Sequence, residues 1–128
     1  MAGESILVVD DNPQNLKLTR VVLTMAGYAV RTAEDGESAL VVLRTFSPRL
    51  ILMDLQLPGM DGLELTRRLK DEPHWRHIPV VALTAYAMKG DEARARLAGC
   101  DGYLTKPIDI DLLPRIVAAH LARPDSGS

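Results

Sequence analysis

Cysteine is nearly absent. Cys100 is the only one, so no internal disulfide can form and no cysteine-based metal cluster exists. A solitary thiol fits a reducing, cytoplasmic setting. Long apolar runs are also missing, and nothing approaches the ~20 residues that cross a bilayer. The first strand-like run begins at Ile6 after one acidic residue, Glu4, with no basic segment before it, so no signal peptide is expected. Charge of one sign is not in excess. A formal net charge of −2 gives no electrostatic reason to expect nucleic acid or an anionic membrane as partner. No repeat and no internal linker composition is present, so a second domain is not expected.

What remains is a chain of 128 residues, 47% apolar and 25% charged. That is one ordinary globular domain with a single core. Its most informative stretch is Leu50-Ile51-Leu52-Met53-Asp54, followed by Leu55-Gln56-Leu57-Pro58-Gly59. A short continuous apolar run bounded by turn residues is a strand buried on both faces. Asp54 then stands at its carboxyl end, the edge where open α/β sheets bind ligands. Alone, Asp54 is equally a solvated strand-end carboxylate.

The same pattern recurs along the chain. Ile6 to Val9 is a strand ending in Asp10-Asp11. Asn12-Pro13 starts a helix, with asparagine as cap and proline in the first turn, running to about Ala26 and stopped by Gly27. Tyr28 to Ala33 forms a second strand, and a helix follows from about Glu37 to Thr45. After the Asp54 strand, Asp61 to Lys70 is amphipathic, and Asp71 to His77 is a polar loop. Val80 to Leu83 ends in Thr84, a charged helix covers about Met88 to Leu97, and Gly102 to Thr105 ends in Lys106-Pro107. The last helix starts near Asp109 and runs to about Ala122. Pro114 is tolerable there only within the first turn. Residues 123–128 form a flexible tail. Strands alternating with helices in this way predict a parallel sheet covered on both faces.

Parallel strands bring their carboxyl ends to one edge, so Asp10, Asp11, Asp54, Thr84 and Lys106 converge. Three clustered carboxylates repel and need a cation or shifted pKa values. Oxygen donors without histidine or cysteine favour a hard divalent ion, Mg²⁺. A carboxylate can act as a nucleophile toward phosphorus, a lysine can pair with a phosphoryl oxygen, and a hydroxyl can donate to another. The set suffices for making and holding an acyl phosphate.

In these motifs the chain resembles the receiver domain of two-component response regulators, the chemotaxis-regulator-like fold. The resemblance covers nearly all of Ser5 to Ala122 and rests on Val9-Asp10-Asp11-Asn12, Leu52 to Gly62, Ala82-Leu83-Thr84-Ala85 and Tyr103-Leu104-Thr105-Lys106-Pro107. It implies a receiver domain over residues 1–122 with sheet order 2-1-3-4-5 and five flanking helices. It implies Asp54 as phosphoacceptor, with Asp10, Asp11, Asp54 and the backbone carbonyl of Gln56 as Mg²⁺ ligands. Thr84 and Lys106 would bind phosphoryl oxygens. Ala85 would leave room for the group, and Tyr86 and Gln56 would tune its lifetime. Lys106-Pro107 would carry a cis peptide bond. Tyr103 matches the family's switch aromatic, moving with Thr84 to reshape the face of the fourth helix, fifth strand and fifth helix. The weaker alternative is a tyrosine that only packs a strand against a helix.

The implied partners are a histidine kinase or histidine phosphotransfer protein as donor and an unknown protein target as reader. Such a module is a monomer or weak dimer and no enzyme on an external substrate, though it assists its own phosphorylation and dephosphorylation. Two rivals are weaker. An aspartate-nucleophile phosphatase wants a second acid where Gln56 stands, and a flavodoxin-like cofactor binder wants a Ser/Thr/Gly-rich loop where Asp10-Asp11-Asn12 stands. A receiver cut from a hybrid kinase would look the same as a separate regulator. His74 and His77 flank Trp75 without an evident third metal ligand. His120 lies on an apolar stripe.

Overall fold

The computed structural model describes residues 3–57, 59, 62–84, 90–106 and 108–122. Five strands alternate with five helices: β1 (Ser5–Val9), α1 (Pro13–Met25), β2 (Ala29–Ala33), α2 (Gly36–Leu43), β3 (Leu50–Asp54), α3 (Gly62–Asp71), β4 (Val80–Thr84), α4 (Asp91–Ala98), β5 (Gly102–Thr105) and α5 (Leu112–Ala122). The sheet is parallel throughout, in the order β2-β1-β3-β4-β5. This is the order that the family resemblance implied.

Every residue of β3 and of β4 is buried, as expected of continuous apolar strands inside a parallel sheet. Alternation of side chains divides the core into two layers. Leu7, Val9, Ile51, Met53, Val80 and Ala82 face the layer closed by α2, α3 and α4 through Ala39, Leu43, Leu65, Leu69 and Ala95. Ile6, Val8, Leu50, Leu52, Val81 and Leu83 face the layer closed by α1 and α5 through Leu16, Leu23, Leu113 and Val117. Register holds the centre in place: Val9 pairs with Met53, and Asp54 with Leu83.

Helix boundaries follow local chemistry. Asn12 caps α1, its Oδ1 accepting from the N–H groups of Gln14 (2.9 Å) and Asn15 (3.1 Å), with Pro13 in the first turn. Asp35 Oδ1 accepts from Ser38 N–H at 2.7 Å at the start of α2, which holds its carboxyl below the usual range. That helix begins at Gly36 and ends at Leu43 rather than at Thr45, because the N–H of Thr45 turns back to Val42 in a tighter bond of 3.2 Å.

The last helix begins at Leu112, three residues later than Asp109. The Asp109 carboxylate accepts from the N–H groups of Asp111 (2.9 Å) and Leu112 (3.1 Å), so the residues between form a capping turn. Pro114 then falls in the first turn of the assigned helix, the part of a helix where proline is tolerated. β2 starts at Ala29 rather than Tyr28, and α4 is described from Asp91, whereas a start at Met88 lies outside the described residues. The 123–128 tail also lies outside them.

Candidate functional site

The carboxyl ends of β1, β3, β4 and β5 meet at one edge, and each brings the polar residue that the sequence placed there. Asp10 follows β1, Asp54 ends β3, Thr84 ends β4 and Lys106 follows β5. Asp10 and Asp54 are 1% exposed and Thr84 is fully buried, so these are not solvated strand ends. Asp11 is exposed at the rim. Carboxylate oxygens of Asp10, Asp11 and Asp54 lie within 4.8 Å of one another, and this is the only such three-ligand group among the described residues.

Lys106 binds the two buried acids together. Its Nζ lies 2.9 Å from Asp54 Oδ2 and 3.0 Å from Asp10 Oδ2. Strand pairing aims it, because Lys106 N–H donates to the Thr84 carbonyl at 2.7 Å. The second oxygen of each acid is fixed by the backbone two residues on. Asn12 N–H donates to Asp10 Oδ1 and Gln56 N–H to Asp54 Oδ1, both at 2.9 Å. These are Asx turns, in which a carboxylate holds its own loop. The Gln56 amide also reaches the Thr84 hydroxyl, with Nε2 3.2 Å from Oγ1.

Burial pushes the Asp54 carboxyl up to about 6, against the pull of the Lys106 ammonium and the Gln56 N–H, and the Asp10 carboxylate adds to the rise. Burial also opposes the charge on Lys106. Its hydrogen bonds to Asp54 and Asp10 outweigh that, so its ammonium is held above the ordinary lysine range. The two shifts are compatible because Asp10 supports Lys106 even when Asp54 takes up a proton.

The beginning of α3 presses on the loop after β3. Gly62 N–H donates to the Leu55 carbonyl at 3.2 Å, and a Cβ at Gly62 would run into the Asp54 carbonyl oxygen and lie 2.8 Å from Leu55 Cα. The sequence marks Gly62 as part of a motif but does not reveal this contact, which arises only when the helix docks. The Gln56–Thr84 contact was missed for the same reason. The bond from Asn12 to Asp10 had a signal, the Asp-x-Asn spacing of an Asx turn, obscured by the cap role of Asn12.

Other candidates lie elsewhere. Tyr103 is half-buried and packs on the core layer beneath α2, α3 and α4. His74, Trp75 and His77 line a cleft of about 350 Å³ with Leu43, Arg44 and Ile78, apart from the carboxylates. A larger cleft of about 550 Å³ runs between α1 and β2 and also excludes the carboxylates. Neither holds a three-ligand group among the described residues. Cys100 is buried beside Thr66, and burial pushes its thiol up, away from reactivity. Ala85, Tyr86 and the Lys106-Pro107 peptide bond lie outside the described residues. Among the described residues, no helix is long and apolar enough to cross a membrane.

Known proteins share both the sequence and the frame. The family model described as the response regulator receiver domain matches residues 6–118. The polar-differentiation response regulator DivK of Brucella anthropi is 45% identical over 118 residues, which are 92% of this chain and 96% of that protein. DivK of Brucella ovis matches equally, at 45% over 118 residues. Among solved structures, the receiver domain of a sensor histidine kinase from Pseudomonas aeruginosa superposes with a TM-score of 0.87 at 36% identity, covering 95% of this chain and 100% of that one. That crystal structure has a magnesium ion coordinated in its active site cleft. The chemotaxis response regulator CheY4 of Vibrio cholerae superposes with a TM-score of 0.87 at 25% identity, over 93% and 99% of the two chains. Sequence match, strand order and the chemistry gathered at the sheet edge agree, and the chain belongs to the response regulator receiver domain family, whose members carry phosphorylation-dependent signals in two-component systems.

Proposed function

We propose that Asp54 is the phosphoacceptor of this receiver. The observation that carries the reading is the state of its carboxylate. It is buried at the end of β3, with Oδ1 held by Gln56 N–H and Oδ2 by the Lys106 ammonium, beside two further acids. A carboxylate held in this way cannot swing aside, so an incoming phosphorus meets an oriented nucleophile. With a phosphohistidine donor, an Asp54 oxygen forms the new O–P bond, the N–P bond of the donor breaks, and the imidazole leaves with the electron pair and takes up a proton. The donor is a histidine kinase or histidine phosphotransfer protein, and the chain assists the transfer without turning over an external substrate.

Asp10, Asp11, Asp54 and the Gln56 backbone carbonyl would hold Mg²⁺. The donor set fits, because it is all oxygen, carries three carboxylates within 4.8 Å and includes no histidine or cysteine. Bound there, the ion supplies positive charge for the phosphoryl oxygens. Lys106 pairs with one phosphoryl oxygen, and the Thr84 hydroxyl donates to another. By the family resemblance, Ala85 would leave room for the group and Tyr86, with Gln56, would tune its lifetime. Thr84 and Tyr103 then move together, and the face of α4, β5 and α5 presents the change to a downstream protein.

Treatment with acetyl phosphate and Mg²⁺, followed by intact mass measurement, tests this reading. One phosphoryl group is expected on the parent chain, none on Asp54→Asn, and none when EDTA replaces Mg²⁺. Equal labelling of Asp54→Asn would place the acceptor elsewhere.

A further inference from the structure

Gln56 acts on the site through two separate groups. Its backbone N–H holds Asp54 Oδ1 at 2.9 Å. Its side-chain amide lies against the Thr84 hydroxyl, with Nε2 at 3.2 Å and Oε1 at 3.4 Å from Oγ1. Thr84 is fully buried, whereas Gln56 is exposed. A side chain with solvent available to it therefore folds back onto a buried hydroxyl. The strands bring the two together: Asp54 pairs with Leu83, and Leu55 N–H donates to the Leu83 carbonyl at 2.9 Å.

We propose that the Gln56 side chain is a positioning residue, a placeholder on the Thr84 hydroxyl that an arriving phosphoryl group displaces. This rests on Asp54 as acceptor and Thr84 as phosphoryl ligand, and adds the amide as their competitor. One residue thus touches both groups: its N–H holds Asp54 Oδ1 and its amide holds Thr84 Oγ1. A phosphoryl oxygen carried on Asp54 and taken up by Thr84 must reach the hydroxyl that the amide already occupies. A hydroxyl has a single hydrogen to donate, so the phosphoryl oxygen competes with Oε1 for it and with Nε2 for room. The amide must leave before the hydroxyl is committed to the phosphoryl group.

Removal of the amide therefore speeds phosphorylation. One hydrogen bond between neutral groups corresponds to a rate change of roughly fivefold. Gln56→Met keeps the length and removes the hydrogen bond, and Gln56→Leu serves as a second variant. Each is placed in the parent and in a Thr84→Val background, and labelling by acetyl phosphate with Mg²⁺ is followed by intact mass. Roughly fivefold faster labelling is expected in the parent and no change in the Thr84→Val background, where no hydroxyl remains to be held. Equal acceleration in both backgrounds, or in neither, overturns the proposal.

A second readout needs no phosphodonor. Three-bond couplings give the Thr84 side-chain rotamer populations, and Gln56→Met should shift them. Unchanged populations refute the placeholder. If the parent chain takes up no label at all, the acceptor reading fails, and the rotamer measurement still decides whether Gln56 holds Thr84.

Discussion

Replacing Asp54 by Asn should make the metal-free protein more stable at neutral pH, although it removes a salt bridge. Burial raises the Asp54 carboxyl from 3.8 to about 6. An acid raised on folding binds its proton more tightly in the folded chain. Stability is therefore lost as pH rises through this interval, and the penalty is complete above about 6. The rise corresponds to about 3 kcal/mol at pH 7.5, and to about 1 kcal/mol near pH 4.5.

Asparagine removes that charge but offers one acceptor where aspartate offers two. Either Gln56 N–H or Lys106 loses a bond, at a cost of about 1 kcal/mol. Lys106 keeps Asp10 at 3.0 Å, so its ammonium is not stranded. The net expectation for Asp54→Asn in EDTA is a gain of about 2 kcal/mol at pH 7.5 and almost none near pH 4.5. Urea unfolding followed by circular dichroism reads this as a midpoint increase of roughly 1–2 M at the higher pH. Added Mg²⁺ should narrow the gap by stabilising the parent more than the variant. A variant no more stable than the parent at pH 7.5, or a difference independent of pH, would refute the claim that Asp54 is held under electrostatic load.

Two further substitutions probe the frame around the site. Gly62→Ala inserts a methyl group against the Asp54 carbonyl and Leu55 Cα and should cost roughly 1–3 kcal/mol in urea unfolding; an unchanged midpoint would mean that α3 does not dock this closely. At the opposite edge of the sheet, Lys70 Nζ donates to the Ile78 carbonyl (2.8 Å), the Arg76 carbonyl (3.2 Å) and Asp101 Oδ2 (3.1 Å), and Asp101 also accepts from Val80 N–H. Lys70→Met should lower stability by roughly 1–3 kcal/mol while leaving the labelling rate within about twofold, and a large loss of labelling would show that the two edges are coupled.

The strands were legible because each is a short, unbroken apolar run, and the site was legible because parallel strands turn distant sequence positions into neighbours. Asp10, Asp54, Thr84 and Lys106 follow from that topology. Less legible were features made by docking. Lys70 closes its amphipathic helix in the sequence, yet its ammonium joins a loop and a residue 31 positions away. Gly62 gives no local sign that its missing side chain makes room for the backbone beside Asp54. Asp109 has the chemistry of a cap and does accept from Leu112 N–H, the first residue of the last helix, but the helix itself starts three residues on because the residues between are spent on the capping turn.

The sheet is a partition. Its central strands send alternate side chains into two apolar layers that do not mix, one under α1 and α5 and the other under α2, α3 and α4. Volume changes in one layer are therefore felt by different helices from those in the other. Leu52→Val with Leu65→Val should show additive costs, whereas Ile51→Val with Leu65→Val, within one layer, are free to interact. The two sides can be repacked independently, and the strands between them are common to both.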